Sequence, residues 1–176
     1  MQKNEGFTLI ELLIVVAIIG IIAAIAVPGL MRARMSGNET SAIGSMRAIN
    51  TAEVNYSSAC GQGGYTGSLA TLGTAPPGGN QGFISPDLGR AGIPQKAGYN
   101  IVLTDGGFMM GPKDCNTTDT VVGYYSTAQP INFSSTGNRS FATNHTGTIF
   151  FNNTATAPSQ MDIQSNPPGG TANILQ

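Results

Sequence analysis

The sequence predicts an α+β protein in which one long N-terminal helix packs on a small antiparallel sheet. Three observations carry this. Between Phe7 and Met31, 20 of 25 residues are hydrophobic, against about a third of the remainder. Beyond Met31, apolar residues recur at helical intervals (Met35, Ala42, Met46, Ile49, Ala52). In the second half, short runs of β-branched and aromatic residues alternate with Gly- and Asn-rich connections. The mean hydropathy of +0.03 over 176 residues therefore averages two unlike parts. Charge is sparse: 8 Lys+Arg against 9 Asp+Glu, a net of −1, with 10% charged residues. A chain without a basic excess lacks the electrostatic footprint of a nucleic-acid binder. Long charged tails are also missing.

The helix is expected from about Phe7 to about Ser58. Its first part, residues 7–31, contains 20 consecutive residues, Leu12–Met31, without a formal charge. At 1.5 Å per residue such a helix covers about 30 Å, the thickness of a bilayer hydrocarbon core. Apolar residues lie on every side, as in helices buried in lipid or protein. A secretory signal peptide is the other reading, with Ala24-Ile25-Ala26 as a small-x-small cleavage site. Gly20, Pro28 and Gly29 are weak helix positions; an interior proline costs about 3 kcal/mol. They mark either a simple kink or a place where helical order is lost.

In the amphipathic part, residues 32–58, the apolar stripe is expected to face the body, with Arg34, Glu39, Arg47 and Glu53 largely elsewhere. The glycines of Cys60-Gly61-Gln62-Gly63-Gly64 end the helix. The body, residues 59–153, begins turn-rich, with Pro76-Pro77-Gly78-Gly79 the clearest break. Short helical turns are expected at Leu69–Leu72 and after Ser85-Pro86. Strands are expected at Tyr99–Thr104, Val121–Thr127, Arg139–Thr143 and Thr148–Asn152, the last two joined through Asn144-His145-Thr146-Gly147. Residues 154–176 hold few apolar side chains and read as a loosely ordered tail.

The N-terminus is the most specific motif. Met-Gln-Lys-Asn-Glu-Gly, residues 1–6, precedes Phe7-Thr8-Leu9-Ile10-Glu11 and then the apolar helix. A short polar leader ending in Gly6, an aromatic after it and one carboxylate four residues on closely resemble the type IV pilin and pseudopilin family. The resemblance implies a pilin fold. It also implies cleavage between Gly6 and Phe7 by a prepilin peptidase, which N-methylates Phe7. Glu11 would pair with the Phe7 amine of a neighbouring subunit during assembly; the alternative is a carboxylate that snorkels to the interface. A cation–carboxylate pair away from water selects the axial register more than it adds net stability. Implied partners are further copies of this chain, the peptidase and N-methyltransferase, and an inner-membrane assembly machinery. The precursor would sit in the inner membrane, leader inside, and the product in an extracellular pilus or a periplasmic pseudopilus. Lys3 on the leader side and Arg32 and Arg34 beyond the span lend this topology no support by charge count. In family filaments the region around Pro28 loses helical order on packing. A pilus subunit is the leading function, with a type II secretion pseudopilin, or a secreted or anchored binding protein, as alternatives.

In an exported chain two cysteines read as one disulfide, Cys60–Cys115, with two free thiols as the alternative. Family pilins often carry one, commonly nearer the C-terminus. His145 is the only histidine and reads as a turn residue. Asp114, Asn116 and Asp119 lack the glycine and terminal glutamate of an EF-hand loop. No nucleophile–base pair, paired-carboxylate site or phosphate-cradling glycine motif is legible, so no enzymatic activity, cofactor or metal is expected. Asn-x-Ser/Thr triplets begin at Asn38, Asn55, Asn116, Asn132, Asn138, Asn144 and Asn152. They read as a polar coat or as glycosylation acceptors.

Overall fold

The structure, a computed structural model, describes residues 7–165 and 167–175. The chain divides into two compact units, Met1–Arg34 and Met35–Gln176. Helix α1 runs over Leu9–Ala59, close to the expected span, and stays helical through Gly20, Pro28 and Gly29.

The second unit holds the last turns of α1 and the whole body. Helix α2 is Leu69–Leu72, and strands β1 and β2 are Gln95–Lys96 and Tyr99–Thr104. Strands β3, β4 and β5 are Met110–Lys113, Asp119–Val121 and Tyr125–Pro130. Strands β6 and β7 are Ser140–Asn144 and Ile149–Asn152, followed by helix α3, Gln160–Gln164, and strand β8, Asn173–Ile174. Six strands form one antiparallel sheet in the order β1-β2-β5-β6-β7-β8, and β3 and β4 make a separate hairpin. The β6–β7 connection is the expected turn: Asn144 Oδ1 accepts from Thr146 N at 3.0 Å, and Gly147 (φ +79°) closes it.

One face of the sheet packs on α1. Tyr99, Ile101 and Leu103 of β2, Ala128 of β5, Phe141 of β6 and Ile149 of β7 meet Ala42, Met46, Ile49, Ala52 and Tyr56 of the helix. Each fully buried large side chain of this kind contributes about 1.5–3 kcal/mol. The expected apolar stripe is present, with one correction. Glu39 and Glu53, assigned to the far side, are buried on the stripe itself, 7% and 0% exposed. Their positions follow the same 3–4 spacing as Ala42, Met46, Ile49 and Tyr56, so helical geometry overrides residue type.

Three further differences stand out. Val121–Thr127 is not one strand: Val121 ends β4, Val122-Gly123-Tyr124 connects, and β5 begins at Tyr125. The segment after Ser85 makes a single turn, Ser85 O accepting from Leu88 N and Gly89 N, and no helix. The expected loose tail instead contains α3, capped by Ser159 Oγ accepting from Asp162 N, and β8, paired with β7. Its Ala157 and Ile163 pack with Ala142 and Phe150 on the sheet face that α1 leaves free. Two apolar side chains suffice because β6 and β7 supply the rest of that small cluster.

Candidate functional site

The first unit offers one chemically distinctive place, the start of α1. Thr8 is in the N-cap position and Glu11 three residues on, and the two satisfy each other's groups. Glu11 Oε2 accepts from Thr8 N at 3.0 Å and from the Thr8 hydroxyl, while Thr8 Oγ1 accepts from Glu11 N at 3.3 Å. This is a capping box, which satisfies backbone donors that the first helical turn leaves without partners. A carboxylate in that turn is also favoured by the positive end of the helix dipole. Phe7 is 80% exposed just before it. Gly6 and the five residues before it lie outside the described residues, so only the Phe7 side of the expected cleavage site is in view.

Behind this cap, the large apolar side chains from Leu9 to Met31 are all exposed, between 49% and 76%. The most apolar stretch of α1 has a mean hydropathy of 3.1, with none of it buried. Surface of this kind is stable only against lipid or other apolar helices. Glu11 is the single carboxylate in it. Around Gly20 and Gly29 the positions a side chain would occupy are empty, so neither glycine serves packing within this chain.

In the second unit, Cys60 and Cys115 form a disulfide, with Cα atoms 4.8 Å apart. Cys115 N also donates to Cys60 O at 2.9 Å, so backbone and side chains together bind the end of α1 to the β3–β4 connection. Next to it, buried Asp114 accepts from Asn116 N, Thr118 N and the Tyr56 hydroxyl. Asp119 pairs with Lys113 at 2.7 Å. The acidic residues around Cys115 are thus engaged with the protein's own donors. Among the described residues no three His, Cys, Asp or Glu side chains converge as a metal site. His145 stands edge-on to Phe108 in the β6–β7 turn. Of the Asn-x-Ser/Thr acceptors, Asn55, Asn132 and Asn138 are exposed, whereas Asn144 and Asn152 are buried.

Glu39 anchors the other end of the body's helix. Its carboxylate accepts from Asn138 N at 2.8 Å and from Arg139 Nε at 2.7 Å, with a second Arg139 nitrogen 2.7 Å away. The Arg139 guanidinium also lies over Phe141 and Phe151. Arg139→Ala leaves the buried Glu39 carboxylate with one backbone donor. The expected loss is about 2–3 kcal/mol, reduced from a fully buried pair because Arg139 is a third exposed. Denaturant unfolding of the full chain measures it, and Glu39→Gln in the Arg139→Ala background should recover part of the loss. The sequence held a signal for this pair only in the helical position of Glu39.

A family model described as the prokaryotic N-terminal methylation motif matches residues 1–27. A type IV major pilin protein, PilA, of Myxococcus xanthus is 40% identical over 79 residues, 45% of this chain and 35% of that protein. A type IV wide pilus major component, PilA4, of Thermus thermophilus is 58% identical over 40 residues, 23% of this chain and 30% of that protein. A fimbrial protein of Pseudomonas aeruginosa is 50% identical over 52 residues, 30% of this chain and 34% of that protein. The chain spans about a third of the length of these curated relatives. No solved structure matches it. The methylation motif at its start, pilins as relatives over part of its length, and a long apolar helix followed by an antiparallel sheet make this chain similar to type IV pilins.

Proposed function

We propose that this chain is the structural subunit of an extracellular type IV pilus. One observation carries the reading: an exposed apolar helical stretch preceded by an aromatic, with a single carboxylate four residues after that aromatic. A prepilin peptidase cuts after Gly6, and the new amine of Phe7 is methylated. The precursor waits in the inner membrane, where lipid covers Leu12–Met31. The assembly machinery then extracts it, and the apolar helices of neighbouring copies replace lipid. Because hydrocarbon and apolar helices are equally greasy, packing and the Phe7–Glu11 pair decide the register, not a hydrophobic gain. Gly20, Pro28 and Gly29 are where the helix yields when it packs. A pseudopilin of a type II secretion system uses the same chemistry; the relatives named as major pilins favour the pilus.

Mass spectrometry of sheared surface filaments tests this. The expected subunit begins with N-methylated Phe7. A mature chain starting at Val27, after Ala24-Ile25-Ala26, would mean signal-peptide cleavage and would remove Glu11 and most of the apolar part of α1.

A further inference from the structure

Glu53 has a setting unlike that of every other described carboxylate in the protein. It is 0% exposed, and its Oε2 accepts only from Thr66 N, at 3.0 Å. Its Oε1 is buried with no hydrogen-bond partner. The three ion pairs among the described residues lie elsewhere. Glu39, fourteen residues earlier on the same stripe, has an arginine and a backbone donor; Glu53 has no cation.

Its surroundings are phenolic. Tyr56 follows on α1 and donates to Asp114 Oδ2 at 2.8 Å, and Tyr124 precedes β5 and donates to Asn50 Oδ1 at 2.9 Å. Tyr65, beside Thr66, meets Tyr124 edge-on. These three tyrosines and Asp114 are titratable groups at this junction, and Asp105 and Asp119 line the cleft beside Thr66. An ionised carboxylate with one donor and no countercharge is costly in such a place, whereas the neutral acid is tolerated.

We propose that Glu53 is a pH-sensitive latch: a neutral carboxylic acid that joins the end of α1 to the segment Gly61–Thr66 and loosens that join when it ionises. The turn that returns the chain to Glu53 depends on unusual backbone, with Gln62 and Gly63 at positive φ. A side chain at Gly64 would collide with Thr120. Thr66 also lines a cleft of about 460 Å³ with Ser68, Thr104, Asp105 and Thr120. Charge on Glu53 is relieved by drawing water through this cleft, at the expense of the Thr66 contact.

Burial pushes Glu53 up to about 8, opposed by the Thr66 N–H. Burial likewise holds Tyr56 and Tyr124 above the ordinary phenol range, so neither ionises before Glu53 as pH rises. The direction of the stability change follows. In the unfolded chain the carboxyl titrates near its ordinary 4.5, in the folded body near 8. Between these values the folded state holds a proton that the unfolded state has released. Stability from this group is complete below about 4.5, falls as pH rises, and levels off above about 8. The folding constant drops by up to about tenfold per pH unit in that window.

The test compares the full chain and Glu53→Gln in detergent micelles from pH 5 to 9.5. All five tyrosines lie in the second unit, so near-ultraviolet circular dichroism reports on the body alone. The expected result is that wild type loses folding constant relative to Glu53→Gln by up to about tenfold per unit until about pH 8, then parallels it. Parallel curves throughout would overturn the latch. If Glu53→Gln does not fold, the wild-type Glu53 carboxyl is followed by carbon NMR. A midpoint near 8 supports the proposal, and one at or below 4.5 overturns it. Filament loss is not the readout, so the latch stands or falls independently of the pilus reading.

Discussion

Replacing Glu11 by Ala or Leu is expected to abolish filaments while leaving cleavage after Gly6 and the amount of membrane-held precursor unchanged. Two roles of the carboxylate must be separated. Within the subunit Glu11 completes the capping box with Thr8. Such caps are worth about 0.5–2 kcal/mol at most. Between subunits, the proposed pair with a neighbour's methylated Phe7 amine lies among apolar helices. Removing one partner there strands the other charge at about 3–5 kcal/mol, or a roughly 10²–10⁴-fold weaker addition per subunit. The variants discriminate. Thr8→Ala loses the cap but keeps the charge, so filaments persist at reduced yield. Glu11→Gln keeps an acceptor for the cap but no charge, so filaments are lost as with Ala. Electron microscopy of sheared filaments and immunoblots of membrane fractions read both outcomes. Normal filament yield from Glu11→Leu in cells lacking other subunits would sink the pairing.

The motif at the start of α1 is legible in the sequence because its residues are neighbours along the chain. Gly6, Phe7, Glu11 and the apolar run lie close together in the sequence, and the structure adds the Thr8–Glu11 cap. The strand β2 and the β6–β7 hairpin were legible for the same reason, since alternation and turn residues act over a few positions. What was missed required tertiary context. Glu39 and Glu53 were sorted by charge to the outer side of α1, although their spacing from Ala42, Met46, Ile49 and Tyr56 puts them on the inner stripe. Only the partners, Arg139 a hundred residues away and Thr66 across a glycine turn, explain why carboxylates are accepted there. Strands β1 and β8, two residues each, are too short to show a period. The C-terminal segment is ordered by a few contacts with β6 and β7, which composition does not register.

The disulfide is the second place where a large effect is expected, and its position makes the size predictable. Cys60 and Cys115 are separated by 55 positions, so the bond removes much of the unfolded body's freedom. The loop-entropy relation gives about 4 kcal/mol. The closed loop contains α2, β1, β2, β3 and the glycine turn after α1, a stretch with short elements and many connections. Little else in it pre-orders the chain, so the constraint should act at close to full strength. On the folded side the bond holds α1's end beside Asp114, whose contact with Tyr56 depends on that proximity. Cys60→Ser/Cys115→Ser together should therefore lower the body's unfolding free energy by about 4 kcal/mol. The melting temperature should fall by roughly 10–20 °C for a unit of this size. Reductant should reproduce the shift in wild type and do nothing to the double variant. A change below about 1 kcal/mol would mean that the glycine turn and the Asp114 loop hold their geometry without the bond, and that the helix–sheet core alone sets the stability of the body.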